Sequence, residues 1–355
     1  MDKNLDALES LPSVSVVIAA YNCASTIGAA IESCLVQSHP PCEVIVVNDG
    51  STDKTAQVLA TFGDRIRVIH QANAGLAGAR NAGTQAARAE CVVWMDADDL
   101  AMPERLRVQA SVLKAFPAIG LVSTDFSAFY DSGDDVVQSH INAYYEAASR
   151  LGGVRRIYPE TANLVDCGDA QGCPAVLRYG AVYEALIWGN FVHPPTVMAR
   201  RSLHDRVGPF DESLRYSSDY DLLVRMASLS EFGYVDAPLL RYRLSSVQMS
   251  KAASQGKLQL ETVRILGKLE SMDPDLYARR YTLIQRRVAE SLLSAAAAIG
   301  SSDRSRAFGL LREGLQRGFI PVMAMRAATR IALPMPLLSV ISKVRRQFRP
   351  GRHPA

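Results

Sequence analysis

Cys91-Val92-Val93-Trp94-Met95-Asp96-Ala97-Asp98-Asp99-Leu100 is an apolar run that ends in three carboxylates within four positions. A buried strand that delivers carboxylates at its carboxyl end can hold a divalent cation against phosphate oxygens. The same residues also suit an acidic turn ahead of a helix. Pro103 is placed for a first helical turn, with Asp99 or Leu100 before it. The stretch alone leaves both readings open.

The segments before it set the context. Val14 to Ala20 (VSVVIAA) is a continuous apolar, β-branched run, as expected of a strand buried on both faces. Ile27, Ala30, Ile31, Cys34 and Leu35 form a helical stripe, stopped at His39-Pro40-Pro41. A second strand is predicted over Glu43 to Val47, running into Asn48-Asp49-Gly50-Ser51-Thr52-Asp53. Ser51 or Thr52 would cap the next helix, which continues to about Phe62. A third strand is expected over Ile66 to His70, and a small-residue helix over Leu76 to Ala89. Strand–helix alternation with short connections predicts a largely parallel sheet with helices on both faces. Ligands on such sheets bind outside the carboxyl ends of the strands. Those ends read Ala20-Tyr21-Asn22, Asn48-Asp49-Gly50 and Asp96-Ala97-Asp98, so three polar clusters should share one rim. No Gly-x-Gly-x-x-Gly follows the first strand and no Gly-x-x-x-x-Gly-Lys is present, which argues against dinucleotide-binding and P-loop enzymes. A cation at Asp96 and Asp98 would hold phosphates instead, and the convergence favours that reading.

At 355 residues, with 48% hydrophobic and 21% charged residues, the chain has room for a large α/β domain and an appendage. The six cysteines are scattered and read as reduced thiols of a cytosolic protein. Cys167 and Cys173 lack a second pair for zinc. Residues 1–11 are polar and acidic, without the pattern of a signal peptide, and no transmembrane helix is expected. The net charge of +3 is unevenly spread: after Glu313 come eight basic residues and no acid, leaving 31 basic against 36 acidic residues elsewhere.

Taken together, several stretches resemble the family 2 glycosyltransferases of the GT-A fold. They are residues 14–22, Val46 to Asp53, Asn73 to Gly83, Trp94 to Asp99, Gly208-Pro209-Phe210-Asp211-Glu212-Ser213-Leu214 and Asp219-Tyr220-Asp221-Leu222-Leu223-Val224-Arg225. The resemblance implies an α/β fold with a Rossmann-like, mixed, mostly parallel sheet flanked by helices. The expected organisation is a polar tail (1–11), a glycosyltransferase domain (12–250) with a nucleotide-sugar half (12–125) and an acceptor half (126–250), a helical extension (251–318) and a basic amphipathic tail (319–355).

By that resemblance Ala20 and Tyr21 lie beside the base, and Asp49 accepts from a base N–H. Arg80 and Asn81 face the sugar and phosphates. Asp98 is the direct ligand of Mn2+ or Mg2+, and Asp96 serves metal or ribose. Asp99 is read as a helix cap or an acid behind the site. Asp219 is the candidate base, Asp221 the runner-up. Two positions depart from the family pattern: Ser218 replaces the usual Glu before the base, and Ser245 stands where a His often joins the metal or phosphate site.

The implied function is inverting transfer of a sugar from a nucleoside-diphosphate donor, a UDP-sugar first, to a glycan or lipid-linked acceptor in cell-surface polysaccharide or glycolipid synthesis. Two alternatives are a nucleotide-sugar-binding module with a decayed site, suggested by Ser218 and Ser245, and a nucleotidyltransferase. The latter would want basic residues between Ala20 and Gly28, where there are none.

Between residues 125 and 195, Tyr144, Tyr145, Tyr158, Tyr179, Tyr183 and Trp188 are available to stack on sugars, and His193 is read as structural. Helices are expected at Leu258 to Glu270, Asp275 to Ala298 and Arg304 to Gln316. Residues 319–341 are apolar but carry Arg326 and Arg330 one turn apart, and Lys343 to Arg352 is a basic cluster. That pattern suits peripheral contact with an anionic membrane on its cytoplasmic face. Nucleic acid is not an expected partner.

Overall fold

The computed structural model describes residues 11–130, 135–137, 139–164, 175–244, 256–318 and 321–332. The cysteines at 167 and 173, Ser245 and the basic cluster 343–352 lie outside the described residues. The chain divides into two compact units, residues 1–246 and 247–355.

The first unit opens with β1 (Val14–Ala20), α1 (Ile27–Leu35), β2 (Glu43–Asp49), α2 (Thr55–Ala60), β3 (Arg67–Gln71), α3 (Gly75–Ala86) and β4 (Cys91–Asp96). It continues with β5 (Leu100–Ala101), α4 (Arg105–Ala115), β6 (Ile119–Tyr130), β7 (Asp135–Val137), α5 (Ile141–Tyr144), α6 (Glu146–Arg150), β8 (Glu160–Leu164) and β9 (Ala175–Gly180). It closes with α7 (Tyr183–Leu186), β10 (Met198–Arg200), α8 (Arg201–Val207), α9 (Ser218–Ala227) and β11 (Glu231–Leu244).

These strands form one mixed sheet in the order β3-β2-β1-β4-β10-β6-β11-β9-β8, with β5 on β11 and β7 on β6. The four predicted strands pair in parallel, β1 lying between β2 and β4 with Ala20 opposite Asn48 and Ala19 opposite Asp96. This register brings the three polar strand ends to one edge. Beyond β4 the sheet turns mixed: β10 runs antiparallel to β4 and β6, while β6 and β11 run parallel with register shifts.

One helix start differs from the expectation. Neither Ser51 nor Thr52 caps α2, which has Lys54 before it and no side-chain cap. Asp53 instead accepts from the Thr55 amide at 2.9 Å, while Thr52 N–H donates to Asn22 Oδ1 at 2.8 Å. Asn22, at φ 48°, ties the loop after β1 to the loop after β2, and it also donates its amide to Ser51 Oγ. Asparagine tolerates this left-handed geometry better than most residues.

Small residues let α3 lie close on the sheet. A Cβ on Gly83 would sit 2.3 Å from Val17 Cγ1 and 3.2 Å from Val47 Cγ2. Gly83→Ala gains ~1 kcal/mol of helix propensity. It also overpacks a contact against two buried strands, at a cost of about 1–3 kcal/mol. The clash is with valines that have nowhere to move, so a lower denaturation midpoint is expected. An unchanged or raised midpoint would show that α3 is free to shift.

The second unit contains α10 (Lys257–Met272), α11 (Pro274–Arg279), α12 (Tyr281–Ile299), α13 (Arg304–Arg317) and α14 (Pro321–Ala332). The single helix expected over 275–298 is broken before Tyr281. Asp273 and Asp303 cap α11 and α13 by accepting from Leu276 and Arg306 amides at 2.9 and 3.0 Å. Ala296, Ala297 and Ala327 form a small-residue core against Leu310 and Leu311. No helix among the described residues is long and apolar enough to cross a membrane.

Candidate active site

The acidic run leaves β4 at Asp96 and turns back through β5, which pairs with β11. Asp96 Oδ1 accepts from Arg80 Nη2 at 2.8 Å, joining the end of β4 to α3. Arg80 is buried, 3% exposed, and its Nε has no partner. Its guanidinium also lies over the Phe210 ring at 5.7 Å. Asp98 is half-buried, and its carbonyl accepts from Arg243 Nε at 2.8 Å.

Asp99 departs from the helix-cap expectation. Glu104, not Asp99, precedes α4, and no side chain caps that helix. Asp99 is fully buried and accepts the Arg243 amide of β11 at 3.0 Å, so it clamps the acidic loop to the sheet. Burial, then the nearby Asp96 and Asp98 charges, raise its carboxyl well above the usual range. Arg105, also fully buried, is pushed down to about 10 chiefly by burial, and donates to Gln109 and Met95.

Asp219 sits in the first turn of α9 and is half-buried. Asn190 Nδ2 approaches its Oδ2 at 3.4 Å. Burial raises its carboxyl above the ordinary value, opposed by the positive field of Arg80 and reinforced by Asp96. Those two fields mark Arg80, Asp96 and Asp219 as one electrostatic cluster. Asp221, the runner-up, is buried and paired with Arg225 at 2.9 Å, and Arg225 in turn donates to the carbonyls of Val207 and Pro209. That carboxylate is occupied in holding the Gly208-Pro209 turn.

Asp49 is buried at the end of β2. It accepts from Gln71 Nε2 at 2.7 Å and from the amides of Ala74 and Gly75 at 2.8 and 2.9 Å. These bonds satisfy amides at the start of α3 and put a negative charge at that helix end. Ala20 is buried, whereas Tyr21 stands 53% exposed at the rim. Asn81 exchanges hydrogen bonds with the Phe210 backbone, receiving at 2.8 Å and donating at 3.0 Å, and donates to Glu212 at 2.9 Å. In this structure its amide secures the Gly208–Leu214 turn to α3.

His193, read as structural, and Tyr145, read as available to stack on sugars, pair with each other. His193 is buried, stacks on Phe126 at 4.1 Å and bonds Tyr145 Oη through Nδ1 at 3.0 Å. Burial, then the Arg80 charge, push its imidazole down to about 3, so the ring is neutral. Its Nε2 has no partner. Burial chiefly, with the fields of Tyr144 and then Asp219, holds Tyr145 well above the usual phenol range. Nothing in the local sequence signals this pairing across 48 positions.

Among the described residues no group of three or more His, Cys, Asp or Glu could hold a metal ion. Asp96 and Asp98, both half-buried at the end of β4, offer hard oxygen donors. That donor set fits Mg2+ or Mn2+ only with phosphate oxygens and water completing the shell.

The site therefore combines strand-end carboxylates, a buried arginine and a helix-borne aspartate on a mixed α/β sheet. Residues 15–178 match the family described as Glycosyl transferase family 2. A Rickettsia typhi protein named as an uncharacterized glycosyltransferase is 27% identical over 242 residues, 68% of this chain and 67% of its own length. The succinoglycan biosynthesis protein ExoO of Rhizobium meliloti is 35% identical over 222 residues, 62% of this chain and 57% of its own. Among solved structures, S. aureus TarS 1-349 in complex with UDP-GlcNAc superposes with a TM-score of 0.55 at 16% identity, covering 86% of this chain and 89% of that one. The Pyrobaculum calidifontis mannosyltransferase PcManGT with GDP-Man and Mn2+ gives 0.51 at 19% identity, covering 94% and 84%. The fold is that of the GT-A glycosyltransferases, and residues 15–178 are similar to family 2 glycosyltransferases.

Proposed function

We propose that this enzyme moves a sugar from a UDP-sugar to a glycan or lipid-linked acceptor, with inversion at the anomeric carbon. The observation that carries this is the Arg80–Asp96 pair at the end of β4, whose charges act on Asp219 at the start of α9. Asp219 takes the proton of the acceptor hydroxyl as its oxygen attacks the anomeric carbon. The bond from that carbon to the diphosphate breaks, and the electron pair leaves with the diphosphate. Arg80 lends positive potential to the departing charge without reorganising, because Asp96 and burial fix it. Tyr21 and Asp49 are assigned to the nucleotide, Tyr21 at the exposed rim and Asp49 through its hold on the start of α3. Ala20 shapes the floor beside the base, and Asn81 acts through the turn it secures.

Asp98, with Asp96, would hold a divalent cation, Mn2+ or Mg2+. When bound, such an ion neutralises diphosphate charge as a Lewis acid. Asp98→Ala is expected to weaken UDP binding in the presence of Mn2+ by ~tenfold or more, about 1.4 kcal/mol. Calorimetric titration reads this directly, and retention of Mn2+-dependent binding would exclude Asp98 as a ligand.

The donor class is supported by the UDP-GlcNAc and GDP-Man complexes of the two structural relatives, and a role in polysaccharide synthesis by ExoO. We place the enzyme in the cytoplasm, peripheral to the membrane. Incubation with a panel of UDP- and GDP-sugars and Mn2+ should release nucleoside diphosphate from one of them. Nucleotide binding without turnover of any donor would instead indicate a binding module.

A further inference from the structure

We propose that the outer face of α13 and α14 is a docking surface for an anionic lipid bilayer. The proposal rests on the peripheral membrane placement above and gives it a contact surface. A soluble helix usually turns its apolar stripe inward and its polar residues out. These two helices bury Ala307 and Gly314 on α13 and Ala327 on α14, with Leu310 and Leu311 partly buried against the alanine core. Other large apolar side chains project outward. On α13, Phe308 is 62% exposed and Leu315 39%, seven residues apart with exposed Arg312 between them on the same stripe. On α14, Val322 is 73% exposed and Met325 64%, with exposed Arg326 beside them. The two helices pack against each other, so both stripes belong to one small helical assembly.

Charge identifies the occupant. Residues 301–332 hold six arginines against Asp303 and Glu313. Asp303 accepts the Arg306 amide as the cap of α13, and Glu313 pairs with Arg317 at 3.3 Å. A second copy of this chain on the same face would set arginine against arginine. Lipid phosphates supply the opposite charge, and the acyl boundary takes Phe308, Leu315, Val322 and Met325 while the arginine heads stay at the phosphates. An acceptor anchored in the same bilayer would meet the enzyme at raised effective concentration.

The test uses the full chain and sedimentation with vesicles of phosphatidylcholine alone or mixed with phosphatidylglycerol. Binding is expected to the mixed vesicles, and to weaken as salt screens the surface charge. Val322→Asp with Met325→Asp, or Phe308→Asp, should lower partitioning ~tenfold or more. Arg326→Gln should lower it about fivefold. These positions are exposed, so thermal melts should match the parent and separate lost docking from lost folding. Variants that bind as the parent does would overturn the surface while leaving membrane binding intact. A parent chain that ignores mixed vesicles would overturn both. So would self-association that the aspartates abolish, seen by sedimentation velocity without vesicle binding. Nucleoside-diphosphate release without vesicles should be equal in all variants, so failure of the transfer reading registers in that assay alone.

Discussion

Asp219→Asn is expected to lower glycosyl transfer by ~10²–10⁴-fold while leaving UDP affinity within about twofold. Asparagine keeps the size and hydrogen-bond reach of the side chain but cannot take up the acceptor proton. The carboxylate sits at the start of α9, where burial raises its proton affinity and Arg80 moderates the rise. A raised carboxyl is a better base, provided it is ionised at working pH. The parent enzyme should therefore show an acid limb in its kcat/KM–pH profile lying above the ordinary aspartate value of about 3.9. Below that limb Asp219 is protonated and idle; above it the group is charged and active. In Asp219→Asn the limb should vanish along with most of the rate. Parent-like transfer would exclude Asp219 as the base. Since Asp221 is taken up by Arg225, the search would then move to the Tyr145–His193 pair.

Strands β1, β2 and β4 were legible because each is buried on both faces and so reads as an unbroken apolar run between turn residues, whereas β3, at the sheet edge with Arg67 and His70 exposed, offers only Val68-Ile69. The rim followed from topology: parallel strands in register must present their carboxyl ends together. Legibility stopped where strands became antiparallel and irregular. β6 and β11 pair with register shifts, and β8 and β9 join the far side of the sheet from a part of the sequence rich in loop signals. No period in the sequence announces such pairings: β6 meets β11 across more than a hundred residues, and β9 reaches the sheet only by pairing with β11.

The site shows the same division. A motif reveals which side chains are present, and packing decides what they hold. Asp49, Asn81 and Asp99 each stand in a motif stretch, yet each spends its hydrogen bonds on the protein: on the start of α3, on the Gly208–Leu214 turn and on β11. Asn22 reads in the sequence as part of the polar cluster ending β1, and in the structure its side chain joins two rim loops. Polar groups near a ligand site serve as scaffold as often as contact, and local sequence does not separate the two.

Asp96→Ala should cost about 3 kcal/mol in the 1–246 unit, a fall of roughly 10 °C in its thermal midpoint. Arg80 is almost wholly buried, and Asp96 at 2.8 Å is the one carboxylate it pairs with among the described ion pairs. Removing Asp96 leaves a desolvated guanidinium whose Nε is already unpartnered. One effect opposes this, because Asp96 also repels the buried Asp99. The repulsion acts without contact, whereas the pair is at hydrogen-bond distance in a buried setting, so the loss dominates. The double variant Arg80→Leu with Asp96→Ala removes both charges and should recover most of the midpoint, since an apolar replacement of a buried pair is often neutral. Transfer activity should not recover, because the positive potential facing the diphosphate has gone. This split between stability and rate distinguishes a pair retained for chemistry from one retained for folding. A double variant as unstable as Asp96→Ala alone would show that the pair contributes through packing, and one with parent-like transfer would remove Arg80 from the site.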